Sequence, residues 1–514
     1  MKIKSVATIA ISTALLGTLA FSAEISWTGG GTTAAWDDTG NWGGSLPTAS
    51  DIAVISGVVP ATRADITTMN GFGGVKIDGE ESKIAVYGIT SSVTMTVPLS
   101  GTGTFSVTNS SNNAYLTLNN DNSSFSGSFF TDNAGMTLSH ANAFGNSDTK
   151  FLVKNGTNYK YFQVGTGGKC KSFAGTLAFM SAEVYLRPSG GFDYTGTVDI
   201  RSGTVNIRND AGEVYMSRYS GLVTNTTTSS SEFRLTNNHR LTSTGVIALG
   251  RSWINLFSNA KLYLAGQVAS AASITINNGS LIFEDQYRLS PRQSVAFGNQ
   301  SYPLQGKMDL KGFDQWCGRL TNYDQKHQST DSTSGYLTSS TAPATFTVLG
   351  DYESMPDNSD RKTKEQKQRF VFPVQGHASF ELNSTNLATA TTIRFSSPRS
   401  NTDGSLFCRR GTIVLESTCA FTNLSSIVAS SEGQITVEAG AAINPKATLD
   451  LSDSAVFTVG EGCVVTVETA KVGSKWLKPA EYVCDEAGRP NLAGAGKLRV
   501  MSDGTPPGIS VIIR

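Results

Sequence analysis

Apolar and polar positions fall into a repeat between Phe125 and Ile207. Phe125 is followed by Gly127, then Phe129 and Thr131, and after a four-residue gap by Met136 and Leu138. The same offsets from Phe173 give Gly175, Leu177, Phe179, Val184 and Leu186. From Tyr194 they give Gly196, Val198, Ile200, Val205 and Ile207. Mostly apolar residues two apart mark one face of a half-buried strand, and the gap, holding Gly135 or Gly203, marks a turn. The second and third copies stand 21 residues apart, short enough for one coil of a stacked β-solenoid. Ile274, Ile276, Gly279, Leu281 and Phe283 restate the strand-turn-strand offsets. Alternation returns at Phe380 and Leu382, Ile413 and Leu415, Ile435 and Val437, Leu449 and Leu451, and Val465 and Val467. The pattern predicts an all-β chain of stacked parallel coils.

An open stack must cover its ends, because an exposed sheet edge invites pairing with other chains. Residues 24–70 are expected to form an amino-terminal cap and the first strands. Trp27, Trp36 and Trp42 lie here, interleaved with Gly and Pro, and suit a cap. Their competing reading is a sugar-stacking platform, since aromatic faces also pack on pyranose rings. Coils are expected over 71–324 and 371–470, with a carboxyl-terminal cap over 471–514 that holds Trp476, Leu477, Pro479 and Tyr482. Between them, 325–370 reads as two irregular loops. Gln325 to Ala342 is Ser/Thr-rich and aperiodic. Met355 to Arg369 carries Arg361, Lys362, Lys364, Lys367 and Arg369 against Glu365, a grip for an anionic polysaccharide or simply a solvated loop.

Residues 1–23 read as an export signal: Lys2 and Lys4 flank a short apolar core from Val6 to Phe21, and small residues at Ala20, Ser22 and Ala23 offer a cleavage site. That core is short of the roughly 20 residues a spanning helix needs. No later stretch is long and apolar enough to span, so no transmembrane segment is expected in the mature chain.

Trp27-Thr28-Gly29-Gly30 with Gly40-Asn41-Trp42 and Leu46-Pro47-Thr48 resembles the opening of secreted bacterial proteins that carry autotransporter-associated β-strand repeats. Leu116-Thr117-Leu118 through Asn122, Phe125-Ser126-Gly127 and Ala141-Asn142-Ala143-Phe144-Gly145 is similar to that family's repeat unit. Gly494-Ala495-Gly496-Lys497-Leu498 resembles its closing segment. The resemblance is patchy, with scattered pieces from about 210 to 400. It implies a right-handed parallel β-helix (β-solenoid) with amino- and carboxyl-terminal caps and two irregular loop insertions, displayed or released outside the cell. The chain ends at Arg514 with no room for a translocator barrel, so self-transport through an outer membrane is not implied.

Composition fits this reading. Gly supplies 52 of 514 residues and charged residues are 16%, against about 25% in ordinary soluble proteins. With 41 basic and 41 acidic residues, no global field steers the chain to nucleic acid or to an anionic membrane. Six cysteines (Cys170, Cys317, Cys408, Cys419, Cys463, Cys484) include no C-x-x-C pair. Cys419 and Cys463 alternate with inward residues and read as buried thiols; one or two disulfides are the alternative.

The search for chemistry returns little. Gly165 to Cys170 reads G-T-G-G-K-C, which lacks the first Gly and the Ser/Thr of a phosphate loop. There is no G-x-S-x-G elbow and no H-E-x-x-H. Four scattered histidines, His140, His239, His327 and His377, do not predict a zinc site. Neither cofactor nor metal is expected. Polysaccharide cleavage by a lyase or glycoside hydrolase would need carboxylates and bases meeting on one lateral face. Asp193, Asp199, Arg187 and Arg201 are the nearest such cluster, and Asp199 alternates with Val198 and Ile200 so as to face solvent. Outward charge on a strand ordinarily serves solubility. The functional expectation is an exported structural or adhesin-like protein, contacting glycans or cells through a Ser/Thr/Asn-rich lateral face, with the polysaccharide-cleaving enzyme as the alternative.

Overall fold

The computed structural model describes residues 22–504 apart from 109–113, 155–160, 165–171, 181–182, 189–191, 202, 208–215, 226–230, 236–239, 251–252, 258, 272, 299–304, 323–334, 351–368 and 385–390. The chain winds as a right-handed parallel β-solenoid and is only 3% helical. A full coil presents three short strands, one to each of three faces, as Thr176–Phe179, Glu183–Pro188 and Phe192–Tyr194 do, and the strands of a face pair in parallel. One face is a ladder of ten strands running from Val58–Ala61 to Val268–Ser270. A second is a ladder of eleven, from Val93–Met95 to Arg319–Asn322. The third begins with Glu24–Ser26, Ile52–Ile55, Gly74–Ile77 and Leu99–Gly101, and resumes at Ser172–Phe173. Beyond residue 336 the strands lengthen and bend around the corners, so that Tyr336–Val348, Val374–Asn383, Ser405–Leu415 and Ser426–Val437 join one twenty-stranded sheet.

The inward row of the first face shows why the sequence repeats. Phe105, Phe129, Phe151, Leu177, Val198, Val223 and Ile247 are register partners in turn, and every one is buried. Phe129 and Phe151 stack with centroids 5.0 Å apart. Full burial of each such side chain is worth about 1.5–3 kcal/mol. Alternation therefore sets which side chains face in, and the coil length of 21 residues between Leu177 and Val198, or 25 between Val198 and Val223, places like on like.

The glycine of the repeat has a separate cause. Gly127, Gly175, Gly196, Gly221, Gly245 and Gly266 form a column at the corner that enters the first face. A Cβ at Gly127 would stand 2.0 Å from Gly103 O, and one at Gly221 1.9 Å from Gly196 O. These carbonyls are in use: Ser128 N–H donates to Gly103 O at 2.9 Å, Thr197 N–H to Gly175 O at 2.9 Å and Leu222 N–H to Gly196 O at 3.1 Å. Close approach of successive coils, not a positive φ, requires glycine here.

The parallel ladder is interrupted near both ends of the described chain. At the amino end the helix Arg63–Met69 follows the first coil, its start fixed by a reciprocal capping box between Thr62 and Asp65. At the carboxyl end Ala480–Val483 runs antiparallel to Lys497–Val500, and Trp476 pairs antiparallel with Lys471. These reversed strands end the parallel ladder and cover its edge.

Two expectations change. The strand Tyr336–Val348 lies inside the stretch expected to be irregular. Its open positions include Ser340, Thr341, Thr345 and Thr347, residue types that serve a solvated strand face as well as a loop, while Leu337, Ala344, Phe346 and Val348 are buried. Residues 325–334 and 351–368, with Arg361, Lys362, Lys364 and Lys367, lie outside the described residues, and Arg369 enters a strand and pairs with Glu416 at 2.5 Å. Cys317, Cys408, Cys419, Cys463 and Cys484 are buried free thiols; Cys170 lies outside the described residues. Burial raises all five thiols, that of Cys408 to about 12. No helix among the described residues is long and apolar enough to cross a membrane.

Candidate functional site

The three amino-terminal tryptophans meet as one cluster. Trp27 lies 5.3 Å from Trp36 and 4.9 Å from Trp42, centroid to centroid, and Trp42 packs edge-on to Phe72 at 5.7 Å. Trp36 and Trp42 are buried. Their indole N–H groups donate inward, to Pro60 O and Trp36 O, both at 2.9 Å. This packing closes the Trp36 and Trp42 rings to a sugar, while Trp27 stays half-buried. The motif around the cluster is a knot of hydrogen bonds. Asn41 accepts from Gly31 N–H at 2.9 Å and donates to Thr33 O and Ala35 O. Asp38 accepts from Thr33 N–H and Gly40 N–H, both at 3.0 Å, and from the Thr32 and Thr33 hydroxyls. A Cβ at Gly31 would stand 2.7 Å from both Asp38 and Asn41 side chains, which explains the glycine at that position.

Those donors, the Thr33 amide first, hold the Asp38 carboxyl below its ordinary value. A carboxylate lowered in the fold contributes stability that is present above the unfolded value, about 3.9, and is lost as pH falls through the lowered one. The tryptophan fluorescence of the cap is therefore expected to hold steady down to about pH 4 and to shift only below it. Asp38→Asn should remove most of that acid step. A shift that begins well above pH 5, or one unchanged in Asp38→Asn, would show that Asp38 does not tie the knot.

The strands that carry the candidate carboxylates and arginines belong to three faces. Asp193 lies in Phe192–Tyr194 on the third face, Asp199 in Thr197–Ile200 on the first, and Arg187 in Glu183–Pro188 on the second. The Asp193 carboxylate accepts from Ser220 Oγ at 2.8 Å. Asp199 and Arg201 meet, Nε to Oδ2 at 2.8 Å. Asp199 takes the outward alternation but does not reach solvent: it is 2% exposed, next in its row to the equally buried Ala178. Alternation fixed its side of the strand, and the covering of that side overturned the expected exposure. The described residues contain no group of three His, Cys, Asp or Glu able to hold a metal.

Open polar surface lies elsewhere. On the first face Lys83, Thr104, Ser128, Lys150, Thr176 and Thr197 are register partners in one outward row, half-buried or exposed. In the carboxyl half Ser405, Ser426, Thr448 and Thr469 form another half-buried row, and the Ser426 hydroxyl donates to Ser405 Oγ at 2.6 Å. Each row offers a hydroxyl or amine about every 4.8 Å, the strand spacing. On the second face Thr275, Ala296 and Thr321 are partners in an outward row that is buried. Composition revealed the residue types; which rows lie open follows from packing. Comparison with protein-family models, with curated proteins and with solved structures finds no match. The fold defines the chain as a parallel β-solenoid.

Proposed function

We propose that this chain is an exported bacterial surface or extracellular protein, structural or adhesin-like, that contacts glycans or other cells through its open hydroxyl rows. Its place among secreted proteins with autotransporter-associated β-strand repeats is part of the same proposal. The observation that carries it is the pair of in-register polar rows, one of Ser and Thr with Lys83 and Lys150 and one of Ser and Thr alone, on half-buried to exposed positions. A repetitive surface of this kind spreads binding over many weak, similar contacts, and avidity supplies the strength. The distribution of Asp193, Asp199 and Arg187 over three faces favours this reading over polysaccharide cleavage, which needs its acid and base at one bond.

The experiment is direct. Purified chain is expected to bind cells or insoluble glycans, and binding should decline gradually as coils are deleted from one end and recapped. Incubation with common polysaccharides is expected to release neither reducing ends nor unsaturated products. Turnover abolished by Asp193→Asn alone would overturn the reading in favour of the enzyme.

A further inference from the structure

At the corner between the third and first faces, one tyrosine is held outward at a conformational cost. Tyr287 has φ 52°, a left-handed backbone that a bulky side chain rarely adopts, and it is 42% exposed. One face of its ring lies on Trp316, with centroids 4.3 Å apart and planes inclined by 29°. Trp316 is itself fixed, its Nε1–H donating to Leu289 O at 2.8 Å. The turn beneath is clamped from the next coil. Tyr287 N–H donates to Asp314 O at 2.9 Å. The buried Gln315 donates from Nε2 to Asp285 O at 2.7 Å and accepts Arg288 N–H at Oε1 at 2.8 Å. The residues flanking Tyr287 in the chain make two ion pairs, Asp285 with Arg288 at 2.7 Å and Glu284 with Lys311 at 2.7 Å.

Packing alone does not call for this arrangement. Gly or Asn at position 287 would relieve the left-handed backbone, and the corner would keep its clamp through Gln315. What tyrosine adds is a flat apolar face, pre-positioned and backed by a second aromatic, beside charged hydrogen-bonding groups. A pyranose ring matches that combination: its C–H face is apolar, and its rim carries hydroxyls that donate to carboxylates and accept from guanidinium. The rim holds two acids and two bases, so the local charge cancels and favours a neutral sugar over a uronate. Pre-organisation lowers the ordering cost of a weak ligand.

We propose that Tyr287 and Trp316 form a stacking subsite for a neutral pyranose unit of a glycan, with Asp285, Arg288 and Glu284 as its hydroxyl partners. The inference rests on the glycan-contacting reading above and gives it a specific locus. The test is affinity electrophoresis of the full chain in gels containing a β-glucan, a galactomannan or an α-glucan, with alginate as the anionic control. Retardation by at least one neutral polymer and not by alginate is expected. Tyr287→Gly should weaken it roughly tenfold or more, as loss of an aromatic anchor does, while leaving the thermal midpoint equal or higher. A Tyr287→Gly chain that is retarded like the wild type, or one that loses thermal stability with retardation unchanged, would assign the pair to packing and overturn the subsite. Preference for alginate, or no retardation by any neutral polymer, would overturn it too. Cell or insoluble-glycan binding that survives in Tyr287→Gly would leave the broader reading standing while the subsite falls.

Discussion

Ile200→Asp is expected to destabilise the fold by about 4 kcal/mol or more, because it places a carboxylate in a dry interior with no partner. Ile200 is fully buried and stands in register with Phe179, which continues a row through Val153, Thr131 and Val107. Thr131 is equally buried in that row, and its hydroxyl makes no hydrogen bond within the protein. The row thus tolerates a lone hydroxyl, and Ile200→Thr should cost only about 1–2 kcal/mol. Asp199→Ser tests the neighbouring position. It breaks the Arg201 ion pair, but Arg201 is 36% exposed in its side chain and regains water, so about 1 kcal/mol is expected. Urea midpoints of the three variants, with slopes checked for a change in cooperativity, give the order directly. Asp199→Ser proving more damaging than Ile200→Asp would mean that the inward and outward rows have been exchanged.

How much of this was legible in the sequence differs from element to element. The strand pairs around Phe125, Phe173 and Tyr194 are legible because period-two alternation is a local consequence of a half-buried strand. The coil between the first two copies is not. There Phe151 takes the inward place of Phe129, Thr149 replaces the column glycine, and Phe144 packs 4.1 Å from Phe173 to fill the aromatic seat from a different sequence position. The roles are kept in space while the offsets change, so a search for offsets passes over it. Tyr336–Val348 was obscured by Ser and Thr, which suit both an outward strand row and a loop. Asp199 shows the limit of alternation, which tells the side of a strand and not what covers it. Of the candidate site residues, Trp27, Trp36 and Trp42 do come together, as large apolar rings close in sequence and joined by small residues can. Tyr287 left no trace, since a left-handed tyrosine is held by Gln315 and Asp314 from another coil.

Gly196→Ala is expected to be nearly as damaging as a buried charge, although it adds a single methyl group. A Cβ at this position would stand 2.0 Å from Gly175 O and 2.2 Å from Ala174 O. Both obstacles are backbone, and neither can rotate aside as a flexible side chain would. The coils must separate at this corner, and the Thr197 N–H to Gly175 O hydrogen bond, 2.9 Å long, is stretched with them. Overpacking together with a weakened buried hydrogen bond is expected to cost about 3 kcal/mol. Gly43→Ala is the control: no atom lies within 4 Å of its Cβ position, and its φ of 70° alone opposes a side chain. That strain is worth about 1–2 kcal/mol. Because each coil touches only its neighbours, the damage should also be local. Amide exchange is expected to accelerate at Thr197 and Leu222, whose N–H groups donate along this column, and to stay unchanged around Leu449, many coils away. Gly196→Ala with wild-type thermal stability and unaltered exchange at Thr197 would show that the coils are not in contact at this corner, and the glycine column would lose its physical explanation.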